Sequence, residues 1–169
     1  MTRNPDRTNT ESASFYTPEQ RLRRDASPWT LVQGILAPLQ FLVFLISLAL
    51  VLGALNDAGL AYYATLSVVL KTLILYAIMV TGSLWEKDVF DRYLFAKAFY
   101  WEDMVSMLVL ALHTAYLVVI LFDLLPLREQ LLLALAAYAS YLVNAGQFLY
   151  KFRQVRLSAK TAETAGVYS

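Results

Sequence analysis

The sequence predicts an all-α fold, a four-helix transmembrane bundle with the N- and C-termini on the cytoplasmic side. Three observations point to it: an apolar composition, four long stretches almost free of charge, and the placement of lysine and arginine. Of the 169 residues, 59% are hydrophobic and 16% charged, and a soluble globule of this size could not bury so much apolar surface. A helix needs about 20 apolar residues to cross a bilayer, so four spans occupy most of the chain and leave no room for a soluble catalytic domain.

The four spans are marked by stretches that contain at most one ionisable side chain each. These stretches are residues 26–56, 58–85, 104–122 and 130–150. The exceptions within them are Lys71 in the second and His113 in the third. Short polar loops join the first stretch to the second and the third to the fourth, which is typical of helical hairpins. We predict a membrane domain over residues 26–151, with spans at 29–55, 60–85, 102–122 and 130–150.

Lysine and arginine are concentrated in three places, which sets the orientation. Five precede the first span, three lie between the second and third spans, and four follow the last span, against none and one in the two short loops. Basic residues remain on the cytoplasmic side of a membrane, so both termini and the central loop, residues 86–103, are expected there. We expect residues 1–25 to be a polar, largely disordered tail and residues 152–169 a basic cytoplasmic tail. The central loop mixes charges with aromatic rings and is expected to lie flat in the headgroup region.

Composition and motifs exclude several functional classes. The formal net charge is +1 and the basic residues are dispersed, so there is no electrostatic footprint for nucleic acid. The chain has no cysteine, which excludes disulfides, thiolate metal ligands and cysteine nucleophiles. It also lacks a nucleoside-triphosphate loop, a metal-binding histidine pair and a serine elbow. Ordinary ATPase and hydrolase functions therefore have no support.

Three acidic residues flank the central loop. Glu86 ends the second predicted span, and Glu102 and Asp103 begin the third, so all three should meet at the cytoplasmic boundary of the bundle. Apolar surroundings and like-charged neighbours increase the proton affinity of one such carboxylate, which is how a general acid is formed. The alternative is a solvated acidic rim paired with the basic residues of the same loop.

Amide side chains lie inside the first and fourth spans. Gln33 and Gln40 are seven residues apart and share one face of the first helix, while Asn144, Gln147 and Lys151 form one stripe of the fourth. Polar groups in a bilayer are costly unless they are paired. Each amide is therefore expected either to hydrogen bond to a facing helix or to hold a ligand, and the sequence leaves both open.

Two ionisable residues are predicted to lie deep in the bundle. His113 is the only histidine, and one histidine cannot supply both axial ligands of a membrane b-type haem. It can ligate the magnesium of a chlorin, or simply hydrogen bond to a facing tyrosine or carbonyl. Lys71 is expected to face the bundle interior and contact a polar group on another helix, the alternative being a side chain that extends to the membrane surface.

Four blocks of sequence mix tryptophan, acids, histidine and amides within apolar segments. The blocks are YTPE from Tyr16 with RRDASPWTLVQGILAPLQF from Arg23, WEKDVF from Trp85, FYWEDMVSMLVLALHTAY from Phe99, and YLVNAGQFLYK from Tyr141. Together they resemble the 2-vinyl bacteriochlorophyllide hydratase family, 3-vinyl in current nomenclature, over roughly residues 15–157.

The resemblance implies a hydro-lyase of bacteriochlorophyll synthesis. Members of the family add water across the C3 vinyl group of a chlorophyllide to give a 3-(1-hydroxyethyl) group. The implied enzyme needs no cofactor of its own, because the substrate carries its own magnesium. It would lie in the cytoplasmic or photosynthetic membrane of a bacterium, contact lipid, and associate either with a second copy or with other pigment-synthesis enzymes.

Hydration of the vinyl group requires a proton at the terminal CH2 and then water at the inner carbon. We expect Glu102 to be the proton donor, with Asp103 as second choice and Glu86 as third, and the remaining carboxylates to stabilise the cation. Apolar walls for the ring are expected from Trp85, Tyr100, Trp101 and Phe148. The residues expected to bind substrate or water are Gln33, Gln40, Trp85, Trp101, His113, Asn144 and Gln147, with His113 as the candidate ligand of the substrate's magnesium.

Two other functions fit parts of the same pattern. A non-catalytic pigment-binding or assembly protein would use His113 and the aromatic walls without the acids. A small transporter would use Lys71 and the intramembrane amides, although the chain lacks the broken helices and clear repeat of such folds.

Overall fold

The computed structural model describes residues 16–167, with side chains as far as residue 157. Within this range the chain is helical and contains no strand. The helices are α1 Pro18–Ala26, α2 Pro28–Ala54, α3 Ala61–Phe90, α4 Tyr100–Leu121 and α5 Leu127–Val167, with a 3₁₀ turn at Ala58–Leu60 before α3. The all-α prediction is confirmed.

Four of the helices are long and apolar enough to cross a membrane, as predicted. They cover Pro28–Ala54, Ala58–Phe90, Tyr100–Leu121 and Leu127–Leu157. Their outer faces carry large hydrophobic side chains that are exposed among the described residues, for example Leu31, Val80, Leu121 and Leu149. Contiguous exposed apolar surface of this extent indicates contact with lipid, and the fold is that of a multi-pass membrane protein.

The bundle consists of two helical hairpins. α2 packs along α3 and α4 along α5, with fewer contacts between the hairpins. In the first hairpin the Asp57 carboxylate accepts a hydrogen bond from the Gly59 N–H at 2.8 Å, which caps the 3₁₀ turn. A Cβ atom at Gly53 would lie 2.8 Å from Leu60 Cδ1, so the close approach of the two segments requires glycine there.

The core joins the hairpins through aromatic rings and hydroxyl groups. The Phe44 ring of α2 meets the Tyr138 and Tyr141 rings of α5, with centroids 5.4 and 5.0 Å away. Ser47 hydrogen bonds to Ser67 of α3 and to the Tyr138 hydroxyl. One buried serine therefore links three helices in a region where water cannot satisfy its hydroxyl group.

Helix ends differ from the sequence expectation in several places. The segment 18–26, assigned to the polar tail, forms α1, and α5 continues through the assigned basic tail. Ala96 and Phe99 of the central loop are buried against the helices, and the position of the loop in the headgroup region stays a prediction. Of the largely disordered tail predicted over residues 1–25, residues 1–15 lie outside the described residues.

Candidate active site

Three carboxyl groups meet where α3 ends and α4 begins, which we call the acidic end of the bundle. Glu86, Glu102 and Asp103 are buried, with 5%, 7% and 4% of their surface exposed. The Glu86 and Asp103 side chains hydrogen bond to each other, and the charge of Glu102 acts on Asp103. The predicted gathering of the three carboxyl groups is confirmed, and a solvated acidic rim is not what forms.

The Glu86–Asp103 contact favours a shared proton. Two ionised carboxylates are acceptors only, so they can hydrogen bond to each other only when one of them carries a proton. The loop supplies further donors: the Phe95 N–H donates to Asp103 Oδ2 at 2.8 Å, and the Ala96 N–H donates to Glu86 Oε2 at 3.2 Å. These amides stabilise a negative charge. These surroundings favour a pair that shares one proton between its two carboxyl groups.

The loop that supplies these amides is held in an uncommon conformation. Phe95 has a φ of 60°, which places a bulky residue in the left-handed region and costs about 1 to 3 kcal/mol. Asp91 also has a positive φ, 64°, where it ends α3, and Lys87 donates to its carboxylate at 2.8 Å. The strain at Phe95 lies in the segment whose N–H groups face the carboxyl pair.

Glu102 has a different partner from the other two acids. Its carboxylate lies 3.1 Å from Lys151 Nζ of α5, whereas the sequence had suggested basic residues of the loop. The neighbouring Asn144 amide donates to the Glu102 carbonyl at 2.9 Å and to Ser106 Oγ at 3.0 Å. Asn144 therefore hydrogen bonds to a facing helix, which is one of the two roles expected for the amides. Gln147 Oε1 is buried without a hydrogen-bond partner among the described residues.

Aromatic rings line the same end of the bundle in a group that we call the aromatic cluster. It comprises Tyr16, Trp85, Phe90, Phe99, Phe148 and Phe152. The Trp85 ring lies 5.9 Å from Phe90 and 5.6 Å from Phe99. Burial raises the pKa of Tyr16 to about 12, an effect that nearby Arg24 partly opposes, so its hydroxyl group stays neutral.

The aromatic cluster contains some, but not all, of the residues expected to form apolar walls around the substrate's ring. Trp85 and Phe148 belong to it, whereas Trp101 is 71% exposed and lies on the outer surface against Tyr100. Phe90 and Phe99 were missed as wall residues. The density of rings in residues 90–101 was the available signal, and it was interpreted as a membrane-surface belt.

A cleft of about 500 Å³ opens beside the cluster. We call it the basic cleft, and its lining residues are Gln20, Phe90, Arg92, Ala96, Lys97 and Ala98. Two of them connect it to the features above: Ala96 donates its N–H to Glu86, and the Phe90 ring contacts Trp85. The cleft, the rings and the carboxyl pair are therefore adjacent to one another.

A second polar region, the central cluster, lies deeper in the bundle and comprises Lys71, His113 and Gln40. Lys71 is 0% exposed and its Nζ lies 3.7 Å from the centre of the Tyr141 ring. Its interior position is confirmed. The expected polar contact is wrong, because Nζ has no hydrogen-bond partner among the described residues and faces aromatic rings instead.

His113 and Gln33 have hydrogen-bond partners, whereas Gln40 has none among the described residues. His113 Nδ1 lies 2.8 Å from the Val109 carbonyl. Because a carbonyl only accepts, Nδ1 carries the proton and Nε2 the lone pair in the neutral ring. Gln33 Nε2 donates to Thr81 Oγ1 at 2.7 Å and ties α2 to α3. Gln40 is buried, and neither of its amide atoms has a partner among the described residues.

Metal-binding capacity is limited in the part of the chain that the structure describes. No group of three or more histidine or acidic side chains there is arranged to hold a metal ion. The carboxyl groups at the acidic end are instead engaged by one another, by loop amides and by Lys151.

Comparison with known proteins identifies close relatives over nearly the whole chain. Residues 16–154 match the family model of 2-vinyl bacteriochlorophyllide hydratase. The chain is 58% identical to the 2-vinyl bacteriochlorophyllide hydratase of Rhodobacter capsulatus over 158 residues, covering 94% of this chain and 91% of the relative. It is 60% identical to the protein of that name from Cereibacter sphaeroides over 149 residues, covering 88% and 92%. No solved structure matches the chain.

Proposed function

The chain belongs to the 2-vinyl bacteriochlorophyllide hydratase family, and from that premise we propose that the Glu86–Asp103 pair carries out its chemistry. The chain is a hydro-lyase of bacteriochlorophyll synthesis, which adds water to the vinyl group of a bacteriochlorophyllide. The non-catalytic pigment-binding and transporter alternatives gain no support from these relatives. In this proposal the residues at the acidic end perform the addition in two steps.

The first step is proton transfer from the carboxyl pair to the terminal CH2 of the vinyl group. The proton shared by Glu86 and Asp103 forms the new C–H bond, and the vinyl π electrons supply the pair for it. The inner carbon is left as a cation that the conjugated macrocycle delocalises. A positioned acid contributes typically about 100- to 10,000-fold to such a step.

The second step returns the proton. Water bonds to the inner carbon through its oxygen and gives up one proton to the carboxylate pair, which has just lost one. The product carries the 1-hydroxyethyl group, and the pair again holds one proton and one charge. One coupled pair thus serves as acid and then as base, and no other proton carrier is needed.

The ion pair with Lys151 supports a different role for Glu102 from the donor role that sequence alone favoured. The Glu102 carboxylate lies 3.1 Å from the Lys151 ammonium group, and the two form an ion pair. Glu102 is therefore assigned to stabilising the cation, and the donor role passes to Asp103 and Glu86, which were the second and third choices. Its charge also acts on Asp103, so it favours proton retention by the pair between turnovers.

The unpaired amide of Gln147 is the best-supported holder of the attacking water. Its Oε1 is buried without a partner and it shares a helix stripe with Asn144 and Lys151, both of which contact Glu102. Gln40 remains a second candidate, while Gln33 and Asn144 are engaged in helix packing. Trp85, Phe90, Phe99 and Phe148 supply the apolar walls.

The proposal also includes the cofactor, the ligand of the substrate's magnesium and the orientation in the membrane. No cofactor is assigned to the protein, and His113 Nε2, with its lone pair, is kept as the candidate ligand of the substrate's magnesium. The acidic end and both termini are assigned to the cytoplasmic side by the distribution of lysine and arginine. This orientation puts the site at the membrane surface of a photosynthetic bacterium, where water is available.

The carboxyl–carboxyl hydrogen bond carries this proposal, and substitution tests it. Membranes containing Asp103→Asn or Glu86→Gln, incubated with the vinyl pigment, should lose hydration, measured as the mass gain of one water. Glu129→Gln changes an exposed carboxylate at the opposite end of the bundle and is the matched control. Pigment binding in each variant shows that the site still forms. Wild-type activity in both pair variants would overturn the proposed mechanism.

A further inference from the structure

Two cations line the basic cleft, and neither has an anionic partner among the described residues. Most other basic residues near the acidic end are in ion pairs: Arg23 with Glu19, Arg24 with Asp25, Lys87 with Asp91 and Lys151 with Glu102. Arg92 and Lys97 form no ion pair among the described residues, although both border the same cavity. Two like charges beside one cleft repel each other, and a bound anion would remove that repulsion.

The cleft is connected directly to the reacting groups. Ala96 lies in the cleft wall between Arg92 and Lys97 in sequence, and its N–H donates to the Glu86 carboxylate at 3.2 Å. Phe90, on the same wall, has its ring 5.8 Å from that of Phe99 in the aromatic cluster. An apolar ligand lying on these rings would thus have one end near the cations and another near the carboxyl pair.

A volume of about 500 Å³ is within the range of ligand pockets, roughly 300 to 1,000 Å³. Its lining is mixed, with ring and methyl groups beside a guanidinium and an ammonium group. Such a cleft suits the edge of a flat apolar molecule that carries one acidic group.

The substrate has a group of this kind. A chlorophyllide differs from an esterified chlorophyll in having a free propionic acid, which is ionised at neutral pH. The three acids of the site would repel that carboxylate, so productive binding requires cations to hold it away from them. Guanidinium and ammonium groups are the usual partners of a carboxylate.

We propose that Arg92 and Lys97 bind the propionate carboxylate of the substrate in the basic cleft and so select free-acid pigments over their esters. This rests on the proposed function only in its substrate class, and not on which acid transfers the proton. The two residues orient the macrocycle, with its apolar body against Phe90 and the other rings. An ester has no charge to place there and binds without this contact.

The test compares a free-acid vinyl pigment with its methyl ester. The wild-type protein should favour the acid by about 10- to 100-fold in kcat/KM, as expected for charge-assisted hydrogen bonds. The double variant Arg92→Gln with Lys97→Gln should lose that preference through a raised KM for the acid, with kcat and the ester reaction little changed. Equal rates for acid and ester in the wild type, or equal losses for both in the variant, would overturn the proposal.

Two controls separate this contact from folding effects. The exchange Arg92→Lys with Lys97→Arg keeps both charges and should keep the preference. Arg153→Gln removes an exposed cation of α5 that does not line the cleft, and it should have no effect on the preference. If Arg153→Gln lost the preference for the free acid, overall charge would explain the preference, and its assignment to the basic cleft would be overturned.

An anionic lipid headgroup offers the same chemistry as the propionate, so the assay is run in phosphatidylcholine vesicles with and without phosphatidylglycerol. Acid preference in phosphatidylcholine alone supports the substrate carboxylate. Activity that requires phosphatidylglycerol, with no acid preference, would assign the cleft to lipid. Failure of the proton-transfer mechanism is distinguishable, because pigment binding in Asp103→Asn should still favour the acid.

Discussion

The acidic end and the central cluster contain the same kinds of polar groups in opposite states. At the acidic end the buried acids each have a partner: Glu86 and Asp103 bond to each other and Glu102 to Lys151. In the central cluster, Lys71 and Gln40 have no hydrogen-bond partner among the described residues. The difference separates a cluster of partnered acids from a region where polar atoms are enclosed by aromatic rings.

The two regions differ in how buried polar groups are stabilised. A paired carboxylate or ammonium keeps its ionisation in an apolar interior, because the partner replaces lost hydration. An unpaired one is costly and is retained only when something compensates, here the faces of Tyr141, Phe44 and Tyr138 at 3.7, 5.8 and 5.8 Å from Lys71 Nζ. Substitutions in the two regions should therefore differ in both size and kind.

The largest effect is expected on catalysis at the acidic end. Asp103→Asn should lower kcat by about 100- to 10,000-fold, because the pair loses the group that alternates as acid and base. Glu102→Gln should cost less, about 10- to 100-fold, since it removes a stabilising charge and leaves the proton donor. Steady-state hydration assays measure both. A larger loss for Glu102→Gln would return the donor role to Glu102.

Next in size is the stability cost of breaking the ion pair. Lys151→Met should destabilise the protein by about 1 to 3 kcal/mol, because it leaves the Glu102 carboxylate buried without its cation. Thermal unfolding in detergent measures the change, with Arg153→Met as the exposed control. The double variant Lys151→Met with Glu102→Gln should recover part of the loss. No recovery would mean that the two side chains act independently.

The central cluster should respond in the opposite direction. Lys71→Met roughly keeps the length of the side chain and removes a buried amino group that has no hydrogen-bond partner among the described residues, so its stability should equal or exceed that of the wild type by up to about 1 kcal/mol. Hydration should be retained, because no role in it is assigned to Lys71. A loss of stability as large as that of Lys151→Met would contradict the contrast between the regions.

Much of this organisation could be read from the sequence, and the remainder depends on relative helix placement. The lengths of the uncharged stretches predicted the four spans. The positions of Glu86, Glu102 and Asp103 at span ends predicted that the three acids would lie close together. The choice of Lys151 as partner depends on how α4 and α5 are rotated against each other, which periodicity does not determine. The aromatic surroundings of Lys71 depend on the same rotation.

Some features were readable and overlooked. Thr17-Pro18-Glu19-Gln20 is a capping box: the Gln20 N–H donates to Thr17 Oγ1 at 3.2 Å, and the Thr17 N–H donates to Gln20 Oε1 at 3.0 Å. It predicts the start of α1 inside the segment assigned to the tail. The amide contacts of the loop were not readable, since backbone N–H groups carry no sequence signature.

A smaller effect is expected at His113. If its Nε2 ligates the substrate's magnesium, His113→Ala should weaken binding of the magnesium pigment by several-fold and leave binding of the metal-free pigment unchanged. Pigment absorbance titrations measure both affinities. An equal loss for the two pigments would indicate that His113 only packs against Tyr138.

The smallest effect is expected at the tryptophans, where position decides the outcome. Trp85→Leu should raise KM several-fold, because Trp85 belongs to the aromatic cluster. Trp101→Leu should leave kcat and KM within about twofold of the wild type, because surface substitutions away from a site rarely matter. The reverse order would move the ring-binding wall to the outer surface of α4.

Infrared spectroscopy of the purified protein at neutral pH tests the shared proton most directly. A proton shared by Glu86 and Asp103 should give a protonated-carboxyl C=O band in the wild type that disappears in both Glu86→Gln and Asp103→Asn and persists in Glu102→Gln. A band that persists in both pair variants and disappears only in Glu102→Gln would contradict it.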